Sequence, residues 1–250
     1  MQDLRRAGGF TLVELIFAIF VGGLLVSAVY FTMISGQKSS AGVERKVAAQ
    51  QDVRAALEIM AMEIGMASYN PTYLMGLWVQ GPSVPADSAN DCLNVGNQPY
   101  KGIQEATATS ITVEMDIGEN GTIGGTDDNE VIRYEYDAGR QYITRSTNCG
   151  TAQPFLGAAP SSGVGTRTVR VINRSAGIKN GPTEDVAAVF RYYDRNGTEL
   201  FPGRTPGDIP NIRRINITLA VETEEKDQLT NQYRPMIYST SALVRNHAVH

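Results

Sequence analysis

The sequence predicts an α+β fold in which one long amino-terminal α-helix packs on a head of antiparallel β-strands. Residues 15–37 form an unbroken run of 23 uncharged residues. Apolar residues then recur at steps of three and four until about residue 68, which is the period of an amphipathic helix. Past residue 71 the pattern changes to short alternating runs separated by Gly, Pro, Asn and Asp, which is typical of antiparallel strands.

The first element is an apolar segment long enough to cross a membrane. A helix over residues 15–37 would span about 35 Å, and the hydrocarbon core of a bilayer is about 30 Å thick. Arg5 and Arg6 precede it and should stay cytoplasmic, which sends the chain after Lys38 outward. A removable secretory signal, a plain signal anchor and a segment processed in another way are the three alternatives, and residues 26–28 (Val-Ser-Ala) fit a signal-peptidase site. The apolar run is, however, longer than such signals use.

Glu14 is an acidic residue at the edge of this apolar segment. An ionised carboxylate at membrane depth costs roughly 2.5–3.5 kcal/mol, so it needs a partner or a shallow position. The helix dipole returns only about 0.3–1 kcal/mol to a carboxylate in the first turn. Cleavage after Gly9 would place a new α-ammonium group on Phe10, and this cation could neutralise Glu14 within a chain or between neighbours.

Residues 5–15 read Arg-Arg-Ala-Gly-Gly-Phe-Thr-Leu-Val-Glu-Leu. This segment resembles the prepilin signature of type IV pilins and type II secretion pseudopilins. In that signature a short basic leader ends in Gly and is followed by Phe, with Glu as the fifth mature residue. The resemblance implies that a prepilin peptidase cuts between Gly9 and Phe10 and methylates the new Phe10 amine. It also implies that Glu14 is the carboxylate used in assembly.

The resemblance further implies a lollipop-shaped plan. Residues 1–9 are then a cleaved leader, residues 10–37 a transmembrane and assembly half-helix, residues 38–70 an amphipathic half-helix, and residues 71–250 a β-rich head outside the membrane.

The second half-helix carries one apolar stripe, with charged residues largely off it. The stripe includes Val43, Val47, Leu57, Met60 and Ile64. Asn70-Pro71 ends the helix, so a rod from Phe10 to Ser68 would be about 88 Å long.

Three pairs of strands are predicted in the head. They are residues 131–136 with 141–145, residues 186–193 with 200–201, and residues 214–222 with 236–245. We expect these strands to form one twisted sheet on the helix. Residues 82–92 and 151–165 are rich in Pro, Gly, Ser and Ala and are predicted to be loops.

Two cysteines, Cys92 and Cys149, are too few for a structural zinc site. They suggest a single disulfide in an oxidising compartment, with two unrelated buried thiols as the alternative.

Both histidines, His247 and His250, lie in the last four residues, where order is least expected. The sequence therefore offers almost no histidine from which a histidine-based catalytic set could form. The net charge of −4 does not favour a nucleic-acid partner.

Residues 114–130 are acidic and contain no basic residue. The spacing of Asp116, Asn120 and Asp127 is close to that of a calcium loop of the EF-hand type. The match is partial, because Gly118 lacks the oxygen ligand of the third position and Asp127 replaces the usual Glu. A solvated acidic loop is the alternative. If the site exists, calcium should raise the thermal midpoint.

Residues 239–246 and the preceding 213–219 resemble the closing strands of PilW-type minor pilins and J-type pseudopilins. The resemblance implies a structural subunit without catalysis, a minor pilin that primes or caps a type IV pilus. Its partners would be prepilin peptidase, other minor and major pilins, the inner-membrane assembly platform and, before assembly, membrane lipid. The second hypothesis is a J-type pseudopilin of type II secretion, and the third is a membrane-anchored periplasmic binding protein or hydrolase. Under the minor-pilin hypothesis, the precursor lies in the bacterial inner membrane with a periplasmic head, and it moves to the pilus on assembly.

Overall fold

The computed structural model describes residues 11–74, 77, 79–80, 94–95, 102–123, 129–157, 169–178, 187–203, 205–227 and 230–248. Within these residues, helix α1 (Leu12–Gly65) is followed by strands of three antiparallel sheets. The smallest sheet pairs β1 (Val79–Gln80) with β2 (Asn94–Val95). The α+β class and the long amino-terminal helix are therefore confirmed.

Helix α1 runs through both predicted half-helices as one element of 54 residues, about 81 Å long. Its first buried residue is Ala49, and the head covers one face from there onward. The buried positions follow helical spacing: Ala49, Val53, Ala56, Leu57, Met60 and Ile64. The predicted stripe began too early, because Val43 and Val47 are 60% and 44% exposed.

The meander sheet contains five strands in chain order. They are β3 (Ile103–Ala106), β4 (Ser110–Glu114), β5 (Val131–Asp137), β6 (Tyr142–Thr147) and β7 (Gln153–Leu156). Each pairs antiparallel with the next. The predicted hairpin between residues 131–136 and 141–145 is confirmed as β5–β6.

The carboxy-terminal sheet holds the other five strands. They are β8 (Val169–Val171), β9 (Phe190–Tyr193), β10 (Glu199–Leu200), β11 (Arg214–Thr223) and β12 (Pro235–Leu243). The order is β10-β9-β11-β12, and β8 pairs with the same edge of β11 as β9 does, nearer the end of that strand. The predicted pairings β9–β10 and β11–β12 are confirmed.

Two sequence-based expectations about the head are wrong. The strands form two five-stranded sheets rather than one, because alternation identifies a strand without fixing its neighbours. Residues 153–156, predicted to be loop, form β7. Pro154 is tolerated there because β7 is an edge strand.

Asn173 joins β8 and β9 to the strand they share. Its side-chain amide donates to the carbonyl oxygens of Ala188 at 2.7 Å and Thr218 at 2.8 Å. Its Oδ1 accepts from the backbone N–H of Ala220 at 2.9 Å. The side chain is fully buried, so it satisfies backbone groups of β11 where the two partner strands leave a gap.

Helix α1 packs against strands of both large sheets. Glu63 accepts two hydrogen bonds from Arg145 of β6, at 2.7 and 3.0 Å, and a third from the Tyr134 hydroxyl of β5. On the opposite flank, the Gln50 amide lies 3.9 Å from the Met236 sulfur. A Cβ atom on Gly65 would lie 3.8 Å from the Leu243 carbonyl oxygen. Strand β12 therefore runs in the same direction as α1.

Candidate processing and assembly site

Thr11 is the residue at which the helix begins. Its backbone is extended (φ −76°, ψ 150°), and its hydroxyl oxygen accepts a 3.3 Å hydrogen bond from the backbone N–H of Glu14. In return, Glu14 Oε2 accepts from the Thr11 backbone N–H and hydroxyl, both at 2.9 Å. The two residues form a capping box, which satisfies orphan donors of the first turn.

The capping box explains part of how Glu14 is tolerated. A cap of this kind stabilises a helix by about 1 kcal/mol, still less than the roughly 2.5–3.5 kcal/mol cost of a carboxylate at membrane depth. Both donors are neutral, so the carboxylate keeps its charge and can still attract a cation. The sequence-based argument missed Thr11, although Thr-x-x-Glu before an apolar run is the signal for such a cap.

The first half of α1 projects away from the head. Large apolar residues from Leu12 to Met33 are exposed, and α1 is long and apolar enough to cross a membrane. Two polar side chains in this half bond to the helix itself: Ser27 donates to the Gly23 carbonyl at 2.8 Å, and Thr32 to the Ala28 carbonyl at 2.9 Å. These two hydroxyl groups can therefore enter a bilayer without being left unpaired.

Several predicted site residues lie outside the described residues. They are Gly9, Phe10, Cys92 and Asp127. Cys149 is disulfide-bonded rather than free. Because Cys92 falls outside the described part of the chain, the Cys92–Cys149 pairing stays a prediction, as does cleavage between Gly9 and Phe10.

The predicted ion loop is held by its own side chains. The fully buried Asp116 accepts from the backbone N–H groups of Asn120 and Gly121, both at 3.2 Å. Asn120 Oδ1 accepts from the backbone and hydroxyl of Thr122. Glu130 accepts from the Gly118 backbone N–H. Within the described residues no cluster of three metal-ligating side chains forms, and calcium binding stays a prediction.

His247 does not lie in a disordered tail, which corrects the sequence-based expectation. It is 3% exposed, and its Nε2 lies 2.9 Å from the Ile209 carbonyl oxygen. Since a carbonyl only accepts, Nε2 carries the proton and Nδ1 accepts from the Ser68 hydroxyl at 2.8 Å. Ser68 is also buried, so this contact fastens the chain end to the end of α1. No spacing in the sequence indicated the pair.

One comparison with known proteins gives a match. Residues 4–30 of the 250 match the prokaryotic N-terminal methylation motif. The match covers the capping box and most of the apolar segment. Neither the curated proteins nor the solved structures that were searched gave a match.

Motif, cap and exposed helix together indicate a class of protein. The amino-terminal segment resembles that of type IV pilin-like prepilins and pseudopilins, and α1 is long and apolar enough to anchor such a precursor in a membrane. Proteins with this motif are structural subunits processed by prepilin peptidase and assembled with other pilins. The antiparallel head on the second half of α1 is consistent with a pilin-like fold.

Proposed function

We propose that the chain is a minor pilin, a low-copy structural subunit that primes assembly of a type IV pilus or sits at its tip. The observation that carries the proposal is Glu14 in a capping box at the start of an exposed apolar helix, inside a match to the N-terminal methylation motif. The scissile bond is Gly9–Phe10, and the new Phe10 amine is methylated.

Assembly follows from the charges and apolar area of this segment. The cut places a cation one residue before the helix cap, close to the Glu14 carboxylate of the same or a neighbouring chain. Burial of the apolar half-helices against one another supplies the attraction. The charge pair sets the axial register, because an offset chain would leave a carboxylate unpaired at membrane depth.

The head supports a low-copy position. Two five-stranded sheets on one helix make a bulky unit, and such a head fits the end of a filament better than a repeating shaft. Resemblance of the closing strands to PilW-type minor pilins points the same way. Before assembly the head lies in the periplasm of a bacterial cell, an oxidising compartment in which a Cys92–Cys149 bridge can persist.

A J-type pseudopilin of type II secretion is the second candidate, because the same motif and helix serve both systems. A chromosomal deletion in the source bacterium separates the two. Loss of surface filaments with normal export of secreted enzymes supports the minor pilin. Loss of export with normal filaments supports the pseudopilin.

Complementation with Glu14→Ala tests the assembly role directly. We expect this variant to be processed and membrane-bound but absent from sheared filaments, because its helix brings no carboxylate to the pairing. Glu58→Ala, on the exposed side of the same helix, is the matched control and should assemble normally. Equal incorporation of both variants would exclude the assembly role of Glu14.

A further inference from the structure

Strand β12 has one edge that pairs with no other described strand. It is last in the order β10-β9-β11-β12, and its other edge pairs with β11 along nine positions without a register shift. The open edge is therefore long and regular.

The register shows which groups this edge presents. Val244 donates a backbone hydrogen bond of 3.1 Å to Arg213, the residue directly opposite it. In an antiparallel pair such bonded positions alternate, so the even-numbered residues of β12 bond to β11. Ile237, Ser239 and Ser241 consequently direct their N–H and C=O groups away from the sheet.

Other edge strands of the large sheets are blunted or short, but β12 is neither. Strand β3 has an irregular register, β7 contains Pro154, and β10 is only two residues long. From Pro235 to Val244 there is no charged residue, and the single Pro stands at the first position. Proteins normally protect such an edge with charge, Pro or a bulge, because it is a template for another strand.

Helix α1 does not bury the middle of this edge. Gln50 and Gly65 lie next to the two ends of β12. Arg54 and Glu58, which share that flank of the helix at steps of four, are exposed. Ile237 on the strand itself is 61% exposed.

We propose that the open edge of β12 binds an extended segment of a second protein by strand addition. The segment is uncharged along its middle and carries an acidic residue at the end beside Arg245, which is exposed two residues past the strand. Arg234, at the other end, is already paired with Asp227 at 2.6 Å. The inference goes beyond the proposed function, because it concerns the anchored head whether or not the anchor enters a filament.

A second copy of this chain that pairs antiparallel through its own β12 is not the occupant. Antiparallel pairing of two β12 strands would reverse one copy relative to the other, and β12 runs in the same direction as α1. The two membrane anchors would then point in opposite directions.

Hydrogen exchange on the ¹⁵N-labelled full chain in detergent micelles tests the proposal. The probe is a peptide of about nine residues, alternating Thr and Val with Glu at each end, added at about 1 mM. We expect exchange of the Ile237, Ser239 and Ser241 amides to slow about tenfold. The amides of Tyr238 and Thr240 already bond to β11 and should not change, which makes them an internal control.

Matched peptides and variants complete the test. The same peptide N-methylated at alternate amides, or with Lys at its ends, should give no slowing. Ser239→Pro removes an outward N–H group and should abolish the effect, whereas Ser239→Ala should keep it. Three results would overturn the proposal: no slowing, outward amides already protected in dilute protein, or protection that rises with protein concentration alone.

Discussion

The hydroxyl of Ser68 donates a 2.8 Å hydrogen bond to Nδ1 of His247, and this bond ties the end of α1 to the end of the chain. The other ring nitrogen donates to the Ile209 carbonyl. His247→Ala should therefore lower the free energy of unfolding by about 2–4 kcal/mol, because it leaves buried polar groups unpaired and opens a cavity. Urea unfolding of the detergent-solubilised chain measures the change. Arg245→Ala, at an exposed position nearby, should have an effect within about 0.5 kcal/mol.

Asn173 should be the most sensitive polar residue of the carboxy-terminal sheet. Its replacement by Ala removes the side-chain hydrogen bonds to the Ala188 and Thr218 carbonyls and to the Ala220 N–H. Each buried group left unpaired lowers the free energy of unfolding by about 1–3 kcal/mol. We expect the thermal midpoint of Asn173→Ala to fall far below that of Asn211→Ala, whose side chain is exposed. Similar midpoints for the two variants would show that the hydrogen bonds of the Asn173 side chain contribute no stability.

Gly102 should not tolerate a side chain. Its φ is +67°, and a Cβ there would lie 2.7 Å from the Ser68 backbone. Gly102→Ala combines strained backbone with a clash against backbone that cannot move cheaply, so a loss of at least about 1–3 kcal/mol is expected. Gly207→Ala, where a Cβ would meet nothing within 4 Å, is the control. A Gly102→Ala protein as stable as this control would contradict the close packing seen here.

Alkaline pH should unfold the head through its buried tyrosines. Burial and the neighbouring Glu63 carboxylate raise the pKa of Tyr134, and burial raises the pKa of Tyr192. The folded state holds these protons while the unfolded chain releases them near pH 10. The stabilisation is therefore complete below about pH 10 and is lost as pH rises further. Ultraviolet titration should show a set of tyrosines that ionises only with unfolding; smooth ionisation of all tyrosines in the folded protein would argue against it.

The strands could be predicted where side-chain alternation reports burial directly. Ile215, Ile217, Leu219 and Val221 are all fully buried, and their partner strand lies where the next apolar run occurs. Alternation carries no information on which hairpins share a sheet, so the division into two sheets was missed. Strand β7 was missed for a different reason: Pro154 lowers the local strand signal, and only its position at an edge permits it.

The candidate site was predictable where its residues are close in sequence. Glu14 lies three residues from Thr11, so a local motif encodes their contact. Ser68 and His247 lie 179 positions apart, and Asn173 bonds to groups 15 to 47 positions away. Contacts of this kind depend on the finished fold.

The central claim is that trimming at Gly9 creates the cation that Glu14 needs in the membrane. Replacing Gly9 with the bulkier Val should block the cut and leave the unprocessed chain in the membrane, which immunoblotting of membrane fractions would show as a larger product. A mature-size product from Gly9→Val would place the cut elsewhere.

Intact-mass spectrometry of the membrane-extracted native protein tests this claim most directly. The account predicts a chain that begins at Phe10, carries one added methyl group and lacks the two hydrogens lost in one disulfide. A mass that corresponds to a chain beginning at Met1, or at about Val29 as a secretory signal peptidase would leave it, would contradict the account.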